Sequence, residues 1–533
     1  MTSGPKTRYA APASLTVADG WQLERLLPPS RLFGANGLRT GPDGRLYIAQ
    51  VTGSQVSALT LATGELETIS AKGGDIIGPD DVAFDAAGNL FATEVMDGRV
   101  SVRDTHGTTR VLRDDIPSAN GITFHNGRLF IGECREGGRL MEFDLNGGPP
   151  RVLLENVPSP NAMEVGPDGL LYFPLMGANE IWRIHPDSGE KEVVATGLGV
   201  PDSVKFGADG FIVSTQVASG QVLRIDPRTG AQTVLAQLTP GLDNCTIADG
   251  RLFVSNFTGA ITEILADGQT QTTLPGALNW PLDLAVGADG RVYVADGTYL
   301  YVLTSDGSMD TVAMLFSPGY PGFLRGLVPS APGEFVVTTS GGQITRYCPG
   351  DQESTVLADG FDQLYGVALT ADAVVAVEQG TGRVLAVDRT GQVAVLASGL
   401  TDAVGVTVTR DGSILVAEAG RVVRVAGGRT ETVVDGLQRP QGLLAVGGEL
   451  FIVDAGEKTV IAVDVASGAR TTIAHGLPIG SPPGVEPKPL KGMPPFSGPQ
   501  GPFAGIAAGP DGTLYISADG EGSVLALRRD TAP

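Results

Sequence analysis

Asn161-Ala-Met-Glu-Val-Gly-Pro-Asp-Gly-Leu-Leu-Tyr-Phe-Pro174 is the stretch that decides the fold. It reads as one polar residue, a short apolar strand, a Pro-Asp-Gly turn and a second apolar strand. The turn residues supply the fixed Pro φ and the positive φ that tight hairpins need. The same pattern is written about twelve times, from Asn36-Gly-Leu-Arg-Thr-Gly-Pro-Asp-Gly-Arg-Leu-Tyr-Ile-Ala49 to Ala504-Gly-Ile-Ala-Ala-Gly-Pro-Asp-Gly-Thr-Leu-Tyr-Ile-Ser517. Aligned on the residue that opens the first strand, the units start at Asn36, Asp80, Asn120, Asn161, Asp202, Asp243, Leu282, Arg325, Tyr365, Val404, Gln441 and Ala504. Spacing stays near 40 residues until the last step of 63.

A unit of roughly 40 residues with four short strands is a propeller blade. One blade cannot bury its own faces, so blades must stack around an axis. Known rings carry four to eight blades. The expected fold is therefore all-β, two six-bladed β-propellers built from about twelve four-stranded repeats. The expected division is a leader at 1–20, a first propeller at 21–278 and a second at 279–533. Unit twelve ends at its third strand, Ser523–Arg528, while Trp21–Leu27 reads as a spare strand. That strand completes a blade either there or in the first ring. The long last step is an insertion, 475–503, with nine prolines. A loop of that length acts as a lid over a pocket or packs between rings.

The 533 residues include 75 Gly and 36 Pro, which suits many strands and tight turns. Apolar residues make up 42% and charged ones 18%, which argues against disorder. A net charge of −22 argues against a nucleic-acid partner. Cys134, Cys245 and Cys348 form no disulfide framework and no CxxC pair. The N-terminal Met1-Thr-Ser-Gly-Pro-Lys lacks a signal-peptide apolar run, and no 18-residue apolar stretch exists. The expectation is a soluble, cytoplasmic protein acting on a small molecule, with no membrane partner.

Strand a of each blade lines the channel, so its opening residue points at the channel mouth. In the first six units that residue is always Asn or Asp: Asn36, Asp80, Asn120, Asn161, Asp202 and Asp243. In the second six it is Leu282, Arg325, Tyr365, Val404, Gln441 or Ala504, with no carboxylate. Six oxygen-bearing side chains on one axis suit a hard cation, most of all Ca²⁺. Zinc fits less well, since no His or Cys falls in the ring. Asn and Asp also cap tight turns without binding anything; their occurrence in phase in one half only favours a site. A second set closes strand b, namely Gln50, Glu94, Glu133, Leu175, Gln216 and Asn256, of which Glu94 and Glu133 are candidate general bases. The second half repeats this habit in Asp296, Glu378, Glu418 and Asp454. His106, His125, His185 and His475 pair with no nucleophile elbow, and there is no P-loop or GxGxxG.

Pro-Asp-Gly-x-Leu-Tyr-Ile-Ala followed by Gly-x-Val-x-x-x-Asp resembles NHL-type propeller repeats. It also resembles the senescence marker protein/gluconolactonase/luciferin-regenerating enzyme family. Ser118-Ala-Asn-Gly-Ile-Thr-Phe124 is similar to that family's Asn-Gly strand start, and Val200-Pro-Asp-Ser-Val204 to its Pro-Asp-Gly one. The resemblance implies a six-bladed ring holding a divalent ion with a Glu/Asn/Asn/Asp set. It carries Asn120 and Asn161 onto the two Asn ligands and Asp202 onto the Asp. Asn36 stands where the family has Glu, which removes a charge; either Asp80 or Asp243 compensates, or the metal is held more weakly or is missing.

The activity so implied is metal-dependent hydrolysis of a lactone or related ester, with Asp202 or Asp243 activating water or attacking directly. The alternative is a non-catalytic NHL-like scaffold binding a protein or peptide, which the apolar Leu282, Tyr365 and Val404 suit. A lyase or cyclase acting on a natural-product ring is a third reading. The absence of a channel histidine weighs against it.

Overall fold

The computed structural model describes Arg8 and residues 15–530. The described residues form twelve antiparallel sheets, eleven of four strands and one of five. They contain no α-helix; a single 3₁₀ turn spans Met176–Ala178. The blade that begins at Asn161 has strands Glu164–Val165, Leu171–Leu175, Glu180–Ile184 and Lys191–Ala195, hydrogen-bonded in chain order. The fold is two six-bladed β-propellers.

One compact unit comprises Leu32–Asn279 with Gly484–Met493. Its six sheets stack through apolar layers at every blade-to-blade junction. Tyr47, Val56 and Val82 join the first and second blades, for example, and Leu38, Phe253 and Ile261 join the sixth back to the first. The ring is closed by hydrogen bonds as well. Ser255 Oγ on the sixth blade donates to the Asn36 carbonyl at 2.7 Å, and Thr40 N donates to Thr246 Oγ1 at 3.0 Å.

The other unit comprises the described residues up to Arg31, with Trp280–Pro483 and from Pro494 onward. It closes the same way: Ser517 Oγ and Gly505 N both donate to the Leu282 carbonyl, at 2.5 and 2.9 Å. Its last sheet is finished by Trp21–Arg25, which pairs antiparallel with Ser523–Arg529. This settles where the spare strand goes and corrects the expected domain limits. Residues 21–31 belong to the second propeller, because the third strand of its last blade would otherwise expose an unpaired edge. The expected leader is also not wholly loose. Thr16–Val17 adds a fifth strand beside Arg470–His475; residues 1–7 and 9–14 lie outside the described residues. The insertion is divided between units, with 484–493 in the first and its remaining residues in the second.

Strand a runs so close to its neighbour that the residue after the opening position is usually glycine. A Cβ on Gly405 would stand 1.8 Å from the Gln441 carbonyl oxygen, and one on Gly121 2.2 Å from that of Asn161. No side chain fits at those distances.

Replacing Ser255 by Ala removes the donor to Asn36 O and also the acceptor of Asn244 N, which lies 3.0 Å from Ser255 Oγ. Two buried backbone groups lose a partner, so Ser255→Ala is expected to cost about 1–3 kcal/mol. Denaturant unfolding of the full chain measures this; an unchanged midpoint would show that the ring does not depend on that bond.

Candidate functional site

The opening residue of strand a is held at both backbone ends. In the first unit Asn161 N bonds Pro174 O within its own blade, at 3.1 Å, and Asp202 O receives Ala162 N from the preceding blade, also at 3.1 Å. The side chain is left to face the other opening residues. Asp80, Asn120, Asn161, Asp202 and Asp243 are buried and Asn36 is half-buried. Asn36 Nδ2 donates to Asp243 Oδ2 at 3.0 Å, and Asn161 Nδ2 to Asp202 Oδ2 at 2.9 Å. The Asp202 and Asp243 carboxyls hydrogen-bond each other, and Asp80 acts electrostatically on both.

Three carboxyls out of water and close together resist ionisation. Burial, then the neighbouring Asp81, pushes Asp80 up to about 7. Burial, then Asp80, raises Asp202 well above the carboxylate range. Burial, then Asp202 and Asp80, does the same to Asp243. Such a shift does not by itself mark function. Asp283 in the second unit is also pushed up by burial to about 7, and it serves only as a latch, accepting from Leu284 N and Leu327 N.

The distinguishing observation is a pair of orphaned oxygens. Asn120 Oδ1 and Asn161 Oδ1 are buried without a hydrogen-bond partner, although their residues are only 5% and 3% exposed. A buried carbonyl oxygen left bare is costly unless something else occupies it. Among the described residues no three His, Cys, Asp or Glu form a metal cluster of their own. What converges here is a mixed set of amide and carboxyl oxygens, which is the chemistry a divalent cation accepts. On that test the residues fit such an ion.

Glu94 and Glu133, the expected general bases, are tied into the fold. Glu94 receives Arg99, Ser101 Oγ and the Ile77 backbone N–H. Glu133 receives Arg135, Arg139 and the Arg139 N–H. Their oxygens are committed to holding loops, not free to move a proton. The bond that Ile77 N makes to Glu94, from the loop before strand a to the end of strand b, recurs at Gln50, Gln216, Asp296, Glu378, Glu418 and Asp454. A contact made in both units belongs to the fold.

One position further along, just past strand b, lies a set that the opening-residue alignment overlooks. Val51, Val95, Cys134, Met176, Val217 and Phe257 share this register. Val51 N bonds Asn36 Oδ1 at 3.1 Å, and Met176 Sδ lies 3.0 Å from Asn161 Nδ2, so the set forms a collar on the ring. Its signal in the sequence is weak, because four of the six are ordinary apolar residues.

The second unit has no equivalent. Arg325 is fully buried there, its guanidinium 4.2 Å from the Tyr365 ring centroid. It donates to Gln500 Oε1 at 3.2 Å and to Gly501 O at 2.5 Å. Gln441 Oε1 is taken by Ala504 N at 2.9 Å. The end of the insertion therefore sits on these residues and uses their polar groups.

Fold and ring together define a β-propeller with a buried Asn/Asp centre. Residues 16–255 match the family model described as SMP-30/Gluconolactonase/LRE-like region. No curated protein matches the chain. Among solved structures, the chain is similar to a streptogramin B lyase at 19% identity, over 52% of this chain and 94% of that one, with a TM-score of 0.39. It is similar to a gluconolactonase of Xanthomonas campestris at 17% identity, over 46% and 93%, with a TM-score of 0.38. It is also similar to a chain of a nidogen/laminin complex at 21% identity, over 37% and 78%, with a TM-score of 0.35. No helix of the described residues is long and apolar enough to cross a membrane.

The raised Asp80 has a definite consequence for stability. Its folded value, about 7, exceeds its ordinary 3.8. The folded state therefore binds the extra proton between these limits, and stability falls as pH rises through that window. Without added cation, Asp80→Asn is expected to be more stable than the parent at pH 8 by up to about 4 kcal/mol. The gain should vanish towards pH 4. Denaturation at the two pH values checks it; equal gains at both would show that Asp80 is not the group responsible.

Proposed function

We propose that the first propeller is a divalent-cation-dependent hydrolase of a lactone or related ester, with its centre at the Asn/Asp ring. The observation that carries this is the pair of bare, buried oxygens, Asn120 Oδ1 and Asn161 Oδ1, beside three carboxyls. These two oxygens, with Asp202 and either Asp80 or Asp243, are the groups that would hold the ion. An all-oxygen set of this kind suits Ca²⁺. When bound, the ion supplies Lewis-acid polarisation of the substrate carbonyl.

The chain's own residues account for the remainder. Asn36 and Asn161 each donate to one carboxyl of the Asp202/Asp243 pair and fix its orientation. One carboxylate of that pair takes the proton of the attacking water. Burial raises the basicity of both, which brings them towards the range where a general base works at neutral pH. The collar of Val51, Val95 and Val217 is buried and apolar. It excludes bulk water and suits a small organic ester more than a charged polymer. The second propeller has no free donor ring and serves as a scaffold.

A non-catalytic scaffold would give no reason for two bare oxygens in one unit and none at the matching positions of the other. The test is a panel of γ- and δ-lactones with full-length protein, before and after chelation and dialysis. Activity is expected to disappear on chelation and return with a divalent cation. Asp202→Asn should lose roughly a hundredfold or more, and Asp283→Asn, in the second unit, should lose none. Lactonase activity that survives chelation, or an Asp202→Asn variant as active as the parent, rejects the proposal.

A further inference from the structure

Gly484–Met493, the middle of the insertion, packs with the first ring although the chain on either side of it belongs to the second unit. It forms neither strand nor helix. Pro487 and Pro489 fix φ on either side of Lys488, which stiffens the segment. It lies along the loop that leads into Pro79–Phe84, the strand that carries Asp80. A Cβ on Gly73 would stand 2.7 Å from the Glu486 carbonyl oxygen, and Lys488 Nζ lies 3.5 Å from Asp75 Oδ1. That ion pair is open to solvent and holds little. The grip is Leu490, 4% exposed and the one buried side chain of Gly484–Met493. Around a Cβ placed on Gly78 stand Leu490 Cδ2 at 3.2 Å, Val51 O at 3.7 Å and Met96 Cβ at 3.9 Å. Val51 is the collar residue whose N–H holds Asn36 Oδ1, and Met96 follows the collar residue Val95. Leu490 therefore seats on the collar where the first and second blades meet.

We propose that Gly484–Met493 is a fixed strap at the mouth of the first ring, and that Leu490 sets the size of the alkyl substituent a substrate can carry. This rests on the reading of the ring as a lactone hydrolase, and it names the class taken: lactones whose ring carbons bear hydrogen or a short alkyl group. A carbonyl held at the opening residues leaves its substituent only the space between the collar and the loops before strand a. On the arc of the first two blades that space is walled by Val51, Val95 and Met96, all buried, and Leu490 closes it. The wall is apolar, so it selects by volume and not by charge. Each methylene gained or lost in such a pocket is worth about 10- to 200-fold in specificity. A strap that served packing alone would be held as well by an anchor anywhere on the outer blades; this one places its single anchor beside the ring.

The experiment uses the full-length protein with Ca²⁺ and a series of γ-lactones bearing a methyl, butyl or octyl group. In Leu490→Ala the ratio of kcat/KM for the octyl lactone to that for the methyl lactone should rise at least roughly tenfold, mostly through KM of the octyl substrate. Leu490→Val should move the ratio the same way by less, and it carries the test should the alanine variant not fold. Leu490→Met, close to the parent in volume, should keep the parent ratio. Hydrogen exchange on the same proteins reads the anchor without any substrate: in Leu490→Ala, residues 73–78 and 484–493 should exchange faster than in the parent. An unchanged ratio, or an equal loss on every lactone, overturns the size assignment and leaves the hydrolase reading standing. Unchanged exchange in Leu490→Ala overturns the anchor, and with it the strap. A wild type that hydrolyses none of the series overturns the hydrolase reading and the size assignment together, while the exchange data still decide the strap.

Discussion

The backbone contact between neighbouring innermost strands governs the whole molecule. The carbonyl of each opening residue faces the next-door blade, as in Gly37 N to Asp80 O at 2.6 Å, Gly366 N to Val404 O at 2.8 Å and Gly505 N to Leu282 O at 2.9 Å. The contact requires a small residue after the opening position, which is why glycine recurs there. It also leaves the opening side chain no direction except towards its counterparts. Geometry therefore delivers six side chains to one place in each unit, whatever they are. Evolution had only to choose their chemistry.

The two units show what that choice does. In one, the six positions hold amides and carboxyls, and the carboxyls are driven towards protonation by burial and by each other. In the other, a guanidinium stacks on an aromatic ring and its donors are met by Gln500 and Gly501. The same scaffold produces an electrostatically frustrated centre and a satisfied one. Frustration of that kind persists only where something repays it.

The fold was legible because its signals are local and repeated. Pro-Asp-Gly turns, alternating apolar strands and the near-40-residue period need no knowledge of distant contacts. The convergence of Asn36, Asp80, Asn120, Asn161, Asp202 and Asp243 was legible for the same reason, since phase within a repeat is phase around a ring. What could not be read was partner choice. Glu94 and Glu133 carry the residue type of a general base, yet Arg99 in one case and Arg135 with Arg139 in the other claim them across a hairpin. The collar escaped notice because Cys134 and Met176 are chemically informative only beside Asn120 and Asn161. The fate of Trp21–Arg25 depended on a pairing with Ser523–Arg529, some five hundred positions away, on which nearby residues are silent.

That pairing bears on how the chain reaches its native state. Everything the first ring needs, apart from the short 484–493 segment, lies in one uninterrupted run, Leu32–Asn279. It can assemble as soon as that run has left the ribosome, since domains generally fold as units during synthesis. The second ring must wait, because its final sheet joins Trp21–Arg25 to Ser523–Arg529. Loop-closure entropy grows only slowly with length, and a folded ring in the interval shortens the effective tether further. The first propeller is thus, in assembly terms, a preformed insert in the chain of the second.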